Sequence, residues 1–379
     1  MTTVSRFYQA IKMKIEKLTI TDFRNIESLE FEPHESVNII FGQNAQGKTN
    51  LVEAIWLLTG AKSFRRVKSD SEYIRFSAKK SHIEADFFDG ARIQNIELNI
   101  EDRRKALLNG IKVDSASELA QQFPAVVFSP SHLSLVHAGP SERRKFIDSC
   151  LCRISPKFIR TLNDYMRAVT QRNALLKDVR KSSYLLDTLD VWDQSIARTA
   201  SLIIKMRTKL IDRLNDKAKR IYSGISMGNE EMSLSYINSL DVNYDASQPL
   251  SDICADFYNK LKYHLSDDIK YGVTTLGAHR DDVSITLDGK NARNFASQGQ
   301  SRSIVLALKL AESEILEEAF STKPVILLDD VMSELDSARR EYLLNHIGEN
   351  QVFVTCCEKA YFEGLKNGVI KEMKSGVII

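Results

Sequence analysis

Three groups of residues in this chain have the types and spacing that phosphate chemistry requires. The first is Gly42-Gln43-Asn44-Ala45-Gln46-Gly47-Lys48-Thr49, with the two glycines and the Lys-Thr pair at the separation of a phosphate loop. Glycines let the backbone N–H groups of such a loop close around a triphosphate. Lys48 is then expected to reach the β- and γ-phosphates, and the Thr49 hydroxyl to sit on Mg²⁺ at a helix N-terminus that favours anions. Asn50 opens that helix and joins Gly42 to Thr49 as a candidate nucleotide-binding residue. The second group is Asp329-Asp330, ending the apolar run that starts at Pro324. Asp329 suits the Mg²⁺ shell, and Asp330 suits the general-base task of polarising the water that attacks the γ-phosphate. The third is Phe295-Ala296-Ser297-Gln298-Gly299-Gln300-Ser301-Arg302, a small, Gly-containing turn opening a periodic helix from Ser303 to Ala319. That geometry also binds anions. The bland alternatives are a chance Gly-rich turn and an aspartate capping a helix. They weaken when the three groups are read in order, with Ser333-Glu334-Leu335-Asp336 following.

These residues need a scaffold, and the patterning supplies one. Val37-Asn38-Ile39-Ile40-Phe41 reads as the strand before the phosphate loop, and Asn50 to Leu58 as the helix after it. Pro324 to Asp330 reads as a buried parallel strand, which ends where an α/β sheet places its ligand. Lys14 to Ile20 alternates polar and apolar residues as a half-buried strand does. Ser81 to Phe88, Ile93 to Ile100 and the Asn109-Gly110 turn after Ala106 suggest an antiparallel sheet. Ala125 to Phe128 is a short strand, and Ser141 is expected to cap a helix carrying Arg143, Arg144, Phe146 and Asp148.

Two helical stripes follow. Phe158, Leu162, Tyr165, Val169 and Leu176 keep helical spacing in one, and Leu189, Trp192, Ile196, Ile203, Met206 and Leu210 in the other. Each covers roughly 30 Å at 1.5 Å per residue, with Ser182-Ser183-Tyr184 as the loop of an antiparallel hairpin. Gly224 and Gly228 break the pattern, Met232 to Ile237 returns to strand alternation, and Val283 to Leu287 is a strand turning at Asp288-Gly289. The expected fold is α/β: a head with a mixed sheet plus an antiparallel β part, and an inserted α-helical short coiled-coil arm. The expected divisions are an N-terminal extension at 1–12, a first head lobe at 13–142, the helical arm at 143–228 and a second head lobe at 229–379.

Composition narrows the class. With 379 residues and 43% apolar content the chain can fill a sizeable core. No apolar run reaches the ~18 residues of a membrane span, and Met1 to Lys17 is interrupted by charge, so a cytosolic protein is the default. Five cysteines without paired C-x₂-C spacing read as reduced thiols and not as a zinc site. The net charge is +2, yet Arg153 to Gly228 holds 16 lysines and arginines against 7 aspartates and glutamates. Such an excess is either a solvated helical face or a surface for a phosphate backbone. Lys205, Arg207 and Lys209 on the arm, and Lys62, Arg65, Arg66 and Lys68 after the loop helix, are the candidate DNA contacts.

The order phosphate loop, Ser-x-Gly-Gln turn, apolar strand with Asp-Asp resembles the ABC-type ATPases. Within them the chain is similar to the RecF family, bacterial DNA-repair relatives of the SMC proteins. The resemblance rests on Phe23-Arg24-Asn25, Gly42 to Thr49, Lys62-Ser63-Phe64-Arg65, Gly139-Pro140 with Arg143-Arg144 and Asp148, Gly277-Ala278-His279-Arg280-Asp281-Asp282, and Ser297 to Arg302, and runs from Met13 onward. Transporters and other SMC relatives usually carry Glu where Asp330 stands.

The resemblance implies an ATP- and Mg²⁺-dependent ATPase that dimerises on double-stranded DNA near single-strand gaps, helps load the recombinase, and works with RecR and RecO. It implies that Ser297, Gly299 and Gln300 act in trans on nucleotide held by a second copy, and that Arg24, beside Asn25, lies near the adenosine. Where transporters carry a switch histidine after the last core strand this chain has Thr355-Cys356-Cys357, with either Thr355 or Cys356 in that place and Thr355 a candidate contact to the γ-phosphate. Ser131-His132 replaces the acidic pair common in the family after the proline. Turnover is expected to be slow, since Asp330 is one methylene shorter than Glu. Three rivals stand beside this reading. A transporter subunit would need a membrane partner, an SMC-type clamp would need a several-fold longer arm, and a static ATP-binding module would not need both aspartates.

Overall fold

The computed structural model describes residues 11–113, 115–179, 186–240, 247–358 and 367–379. The expected extension up to Ala10 and the Ser182-Ser183-Tyr184 loop lie outside these residues. The chain forms two compact units. One comprises the described residues of Met1–Leu133, Ile221–Asn229 and Ser297–Ile379, the other those of Ser134–Arg220 and Glu230–Ala296.

The first unit contains two six-stranded sheets. Its core sheet runs Val377–Ile378, Gly368–Lys374, Val37–Phe41, Val352–Cys356, Val325–Asp329, Ala125–Phe128 in spatial order. All neighbours pair in parallel except the edge strand Val377–Ile378. Val325–Asp329 is buried at every position, the continuous apolar run of a strand covered on both faces. Register does the rest: Asp329 pairs with Thr355, and Thr355 with Ile40. The carboxyl ends of three strands therefore meet where the phosphate loop leaves Phe41.

The second sheet is antiparallel throughout, in the order Ile26–Phe31, Lys14–Phe23, Ser81–Phe88, Ile93–Ile100, Arg104–Leu108, Ile111–Val113. Asn109 and Gly110 have φ of 52° and 76°, the two positive values of a tight hairpin turn. Ile20, Ile83, Phe87 and Ile96 from its inner face share one core with Leu51, Val52 and Ile55 of the loop helix Lys48–Leu57 and with Leu327 and Phe353 of the parallel strands. The antiparallel sheet thus covers the helix that carries the phosphate loop.

The second unit holds the helices Pro140–Ile154, Pro156–Val179, Leu250–Tyr263 and Leu265–Tyr271, most of Leu186–Ile225, and a small sheet of Met232–Ile237, Asp282–Leu287 and Lys290–Asn291. Three expectations are revised. Leu186–Ile225 is 40 residues long, about 60 Å at 1.5 Å per residue and not 30 Å, because its buried stripe continues past Leu210 through Leu214 and Ala218. Ser141 caps nothing. The helix starts at Pro140 after Gly139, which makes no side-chain cap bond, and proline at the first turn needs no N–H partner there.

The third revision concerns Arg207 and the expected lobe boundary at 229. Arg207 is 2% exposed and grips both Asp148 oxygens at 2.8 Å, with a further bond to the Ala278 carbonyl at 2.6 Å. Asp281 accepts from the Tyr236 hydroxyl and from the Ser239 N–H, while Arg143 pairs with Asp282 at 2.8 and 2.9 Å. The Gly277 to Asp282 stretch is therefore the buried polar centre that ties the strands of 230–296 to the helices. Burial pushes the His279 imidazole down to about 4, so it is neutral against the Tyr165 hydroxyl at 2.6 Å. Arg172 is also internal, bonded to Asp193, Asp268 and Thr274. Part of the arm's basic excess thus neutralises buried carboxylates. Arg207 is removed from the DNA candidates, Lys205 donates to the Gln248 carbonyl at 2.8 Å, and Lys209 remains exposed. Arg207→Met is expected to lower stability by about 3–5 kcal/mol, the cost of leaving buried carboxylates uncompensated, read as a fall in the urea midpoint. An unchanged midpoint would show that the cluster adds nothing net.

Among the described residues no helix is long and apolar enough to cross a membrane.

Candidate nucleotide site

The loop from Gly42 to Thr49 is shaped by what presses on it. Gly42 and Gly47 have φ of 155° and 111°. A Cβ on Gly42 would stand 2.5 Å from the Met373 carbonyl oxygen, and one on Gly47 would stand 2.8 Å from Asn25 Oδ1. Gln46 ties the loop down from the other side: its Oε1 accepts from Ser375 N–H at 2.6 Å and its carbonyl from Gly376 N–H at 2.9 Å. The loop borders a cleft of about 570 Å³, lined by Asn25, Asn44, Ala45, Gly47, Lys48, Thr49, Asn50, Arg65, Ser129, Pro130, Asp329, Asp330 and Thr355.

Sequence-predicted residues converge here. Thr49 Oγ1 donates to Asp329 Oδ1 at 2.8 Å, and Thr355 Oγ1 donates to the same oxygen at 2.9 Å. Burial raises the Asp329 pKa, and the two hydroxyl bonds oppose that shift. One carboxylate and one hydroxyl are hard oxygen donors, the set that suits Mg²⁺, whose remaining positions go to water and phosphate. The residues therefore fit the ion. Lys48 Nζ donates to the Gly42 and Gln43 carbonyls at 2.6 and 2.8 Å, holding its ammonium at the mouth of the loop. Asp330 lines the cleft at φ 53°, a left-handed conformation that a short Asp side chain tolerates. Its N–H donates to Thr355 Oγ1 at 3.0 Å and its Oδ1 accepts from the Ser333 hydroxyl at 3.3 Å. The Thr355 hydroxyl is thus engaged by both aspartates and positions them.

Other expected residues take different places. Gly42, Gln43 and Gln46 shape the loop without lining it. Arg24 turns to Glu53, at 3.0 and 3.1 Å, and lies over the Tyr73 ring at 5.2 Å. Arg65, expected on DNA, lines the cleft and bonds Asn50 Oδ1 at 2.8 Å and Glu53 at 3.2 Å. Glu53, fully buried between the two arginines and the Ser63 hydroxyl, was not singled out by sequence. The available signal is a lone carboxylate on the apolar helix beside the phosphate loop. Cys357, whose Sγ donates to Asn44 Oδ1 at 3.1 Å and approaches Lys48 Nζ at 3.8 Å, is a further unforeseen neighbour.

Ser297, Gly299 and Gln300 do not line the cleft. They form the start of the helix Gln298–Phe320. Ser297 Oγ accepts from Gln300 N–H at 3.2 Å and Gln300 Oε1 accepts from Ser297 N–H at 2.7 Å, a reciprocal capping box. Ser297 is exposed, so the capped turn is presented to solvent. The adjacent Arg302 pairs with Glu334 at 3.2 Å, joining this helix to the turn after Asp330.

Comparison with known proteins gives a consistent result. The family described as RecF/RecN/SMC N terminal domain matches residues 14–377. The DNA replication and repair protein RecF of Acetivibrio thermocellus is 39% identical over 358 residues, 94% of this chain and 96% of the relative. That of Clostridium kluyveri is 37% identical over 368 residues, 97% and 98% of the two chains. The solved structure of the recombination mediator protein RecF-ATPrS in the RecFOR pathway superposes with a TM-score of 0.89 at 33% identity, covering 97% of this chain and 98% of the other. An Smc head domain with an extended coiled coil from Pyrococcus furiosus reaches a TM-score of 0.56 at 17% identity, a likeness of fold alone.

Proposed function

Because the chain belongs to the RecF family of DNA replication and repair proteins, within the SMC-related ABC-type ATPases, we propose that it is an ATPase which dimerises on double-stranded DNA. The dimer forms near single-strand gaps, turns over slowly and helps load the recombinase. RecR and RecO are its partners in this reading, in line with the RecFOR pathway in which the solved relative is placed.

One observation carries the reading. Lys48, Thr49, Asp329 and Asp330 meet at one cleft, while Ser297 and Gly299 are held on an exposed helix start that does not reach it. Half of the machinery is aimed outward, which supports a second copy closing over the nucleotide. In the closed site Lys48 exchanges the loop carbonyls for the β- and γ-phosphates, and the loop amides receive their oxygens. Thr49 and Asp329 would hold Mg²⁺, which when bound neutralises charge on the phosphate oxygens. Asp330, fixed by Thr355 and Ser333, takes the proton of the attacking water. The slow rate follows from Asp330 being one methylene shorter than the Glu usual in related ATPases, which holds the attacking water less well.

The decisive measurement is ATPase rate against duplex DNA, with sedimentation run in parallel. DNA stimulation and a doubled mass with ATP are expected; a monomer at all ATP concentrations that still hydrolyses would overturn the reading. Asp330→Asn is expected to keep ATP binding and dimerisation while hydrolysis falls by about a hundredfold or more, the usual contribution of a positioned base. A variant hydrolysing at the wild-type rate would remove Asp330 from the chemistry.

A further inference from the structure

The segment Lys62 to Lys80 carries seven basic side chains against two acidic ones, Asp70 and Glu72. Two of the seven are committed internally, Arg65 to Glu53 and Arg75 to Asp22 and Glu27. Lys62, Arg66, Lys68, Lys79 and Lys80 are exposed, and none has a carboxylate partner among the described residues. Within this cationic stretch Phe76 is fully exposed.

A single exposed apolar side chain is ordinary. Phe76 is unusual in how firmly it is held. Ile74 forms a β-bridge with Phe23, Arg75 N–H donates to the Asp22 carbonyl at 2.8 Å, and Ala78 N–H closes a turn on the Arg75 carbonyl at 2.8 Å. Beneath the turn Tyr73 is buried and stacked on Phe23 at 5.9 Å between centroids. The ring thus stands on a turn pinned at both ends, with five cations lacking a carboxylate partner in the same segment and no cover from the described residues.

A partner of this segment must match both of its features, a string of negative charges for the cations and a flat π-face for the ring. Nucleic acid with an unstacked base offers both, because phosphate contacts are sequence-independent and every base has a face. A continuous duplex offers only the first, since its bases already stack on one another. We infer that Lys62 to Lys80 is the nucleic-acid interface and that Phe76 stacks on the base exposed where duplex gives way to single strand. This rests on the DNA-dependent ATPase reading above and adds to it the side chain that distinguishes a gap from intact duplex.

The test is fluorescence anisotropy of the whole protein, loaded with a slowly hydrolysed ATP analogue, on a labelled continuous duplex and on the same duplex carrying a single-strand gap, over a salt series. Wild type is expected to prefer the gapped DNA. Phe76→Ala and Phe76→Leu are expected to lose about tenfold or more of the gapped-DNA affinity, the scale on which truncating a stacking aromatic acts. Both should keep the duplex affinity and the salt slope, and Phe76→Trp should keep the preference. Replacing Lys79 and Lys80 by Gln should instead weaken both DNAs and make the slope shallower by about two. Wild type without a gap preference, or Phe76→Ala matching wild type on both DNAs, overturns the inference while the ATPase reading stands. Phe76→Leu behaving as wild type overturns it in favour of an apolar contact with a protein chain. Wild type binding neither DNA overturns the DNA reading and this inference together.

Discussion

Lys48→Met is expected to abolish ATP hydrolysis and to weaken ATP binding by an order of magnitude or more. The ammonium is held at the mouth of the loop by the Gly42 and Gln43 carbonyls. Methionine fills nearly the same volume and makes none of those bonds, so the fold should survive while the phosphates lose their counter-charge. Removing a single preorganised donor from a developing anion commonly costs about 10²–10³ in rate. Calorimetric titration with ATP, together with phosphate release, measures both effects. Hydrolysis at more than a tenth of the wild-type rate would show that the loop amides and the Mg²⁺ ligands suffice.

Ser297→Arg should give the opposite separation, with ATP bound normally and no dimer. Ser297 is exposed and lies outside the cleft of its own chain, so its replacement leaves Lys48, Thr49 and Asp329 undisturbed. It removes one arm of the capping box, worth ~1 kcal/mol, and sets a bulky cation on the surface that a second copy must cover. Ser297→Ala is the control, since it loses the cap and adds no bulk. Sedimentation with ATP should show a monomer for Ser297→Arg and a dimer for Ser297→Ala. If Ser297→Arg dimerises like wild type, the Ser-x-Gly-Gln turn does not act in trans.

Much of the site can be read from sequence because its parts are locally encoded. Gly42 and Gly47 are fixed by backbone conformations and close approaches that few other residues satisfy. Val37–Phe41 and Val325–Asp329 announce themselves as buried strands. What escapes the sequence is long-range pairing. Nothing near Thr355 reveals that its register partner is Asp329, 26 residues away, or that its hydroxyl will fix both aspartates. In sequence Arg207 looks like its basic neighbours Lys205 and Lys209 until Asp148 and Asp281 arrive from 59 and 74 residues away. Glu53 is hidden for the same reason: a carboxylate on an apolar helix reads as solvent-facing until Arg24 and Arg65 close over it. The long helix outruns the stripe that ends at Leu210 because Leu214, Ala218, Ile221 and Ile225 keep the same spacing and burial beyond it.

The phosphate loop's supports also set a timetable. Val37–Phe41, the strand that delivers the loop, is flanked in its sheet by Val352–Cys356 and Gly368–Lys374, and Gln46 is pinned by Ser375 from 329 residues away. At about 5–20 residues per second a ribosome takes tens of seconds to cover that distance. Throughout this interval the emerging chain carries the whole loop sequence without the walls that shape it. The loop therefore takes its shape only after Val352–Cys356, Gly368–Lys374 and Ser375 have been made.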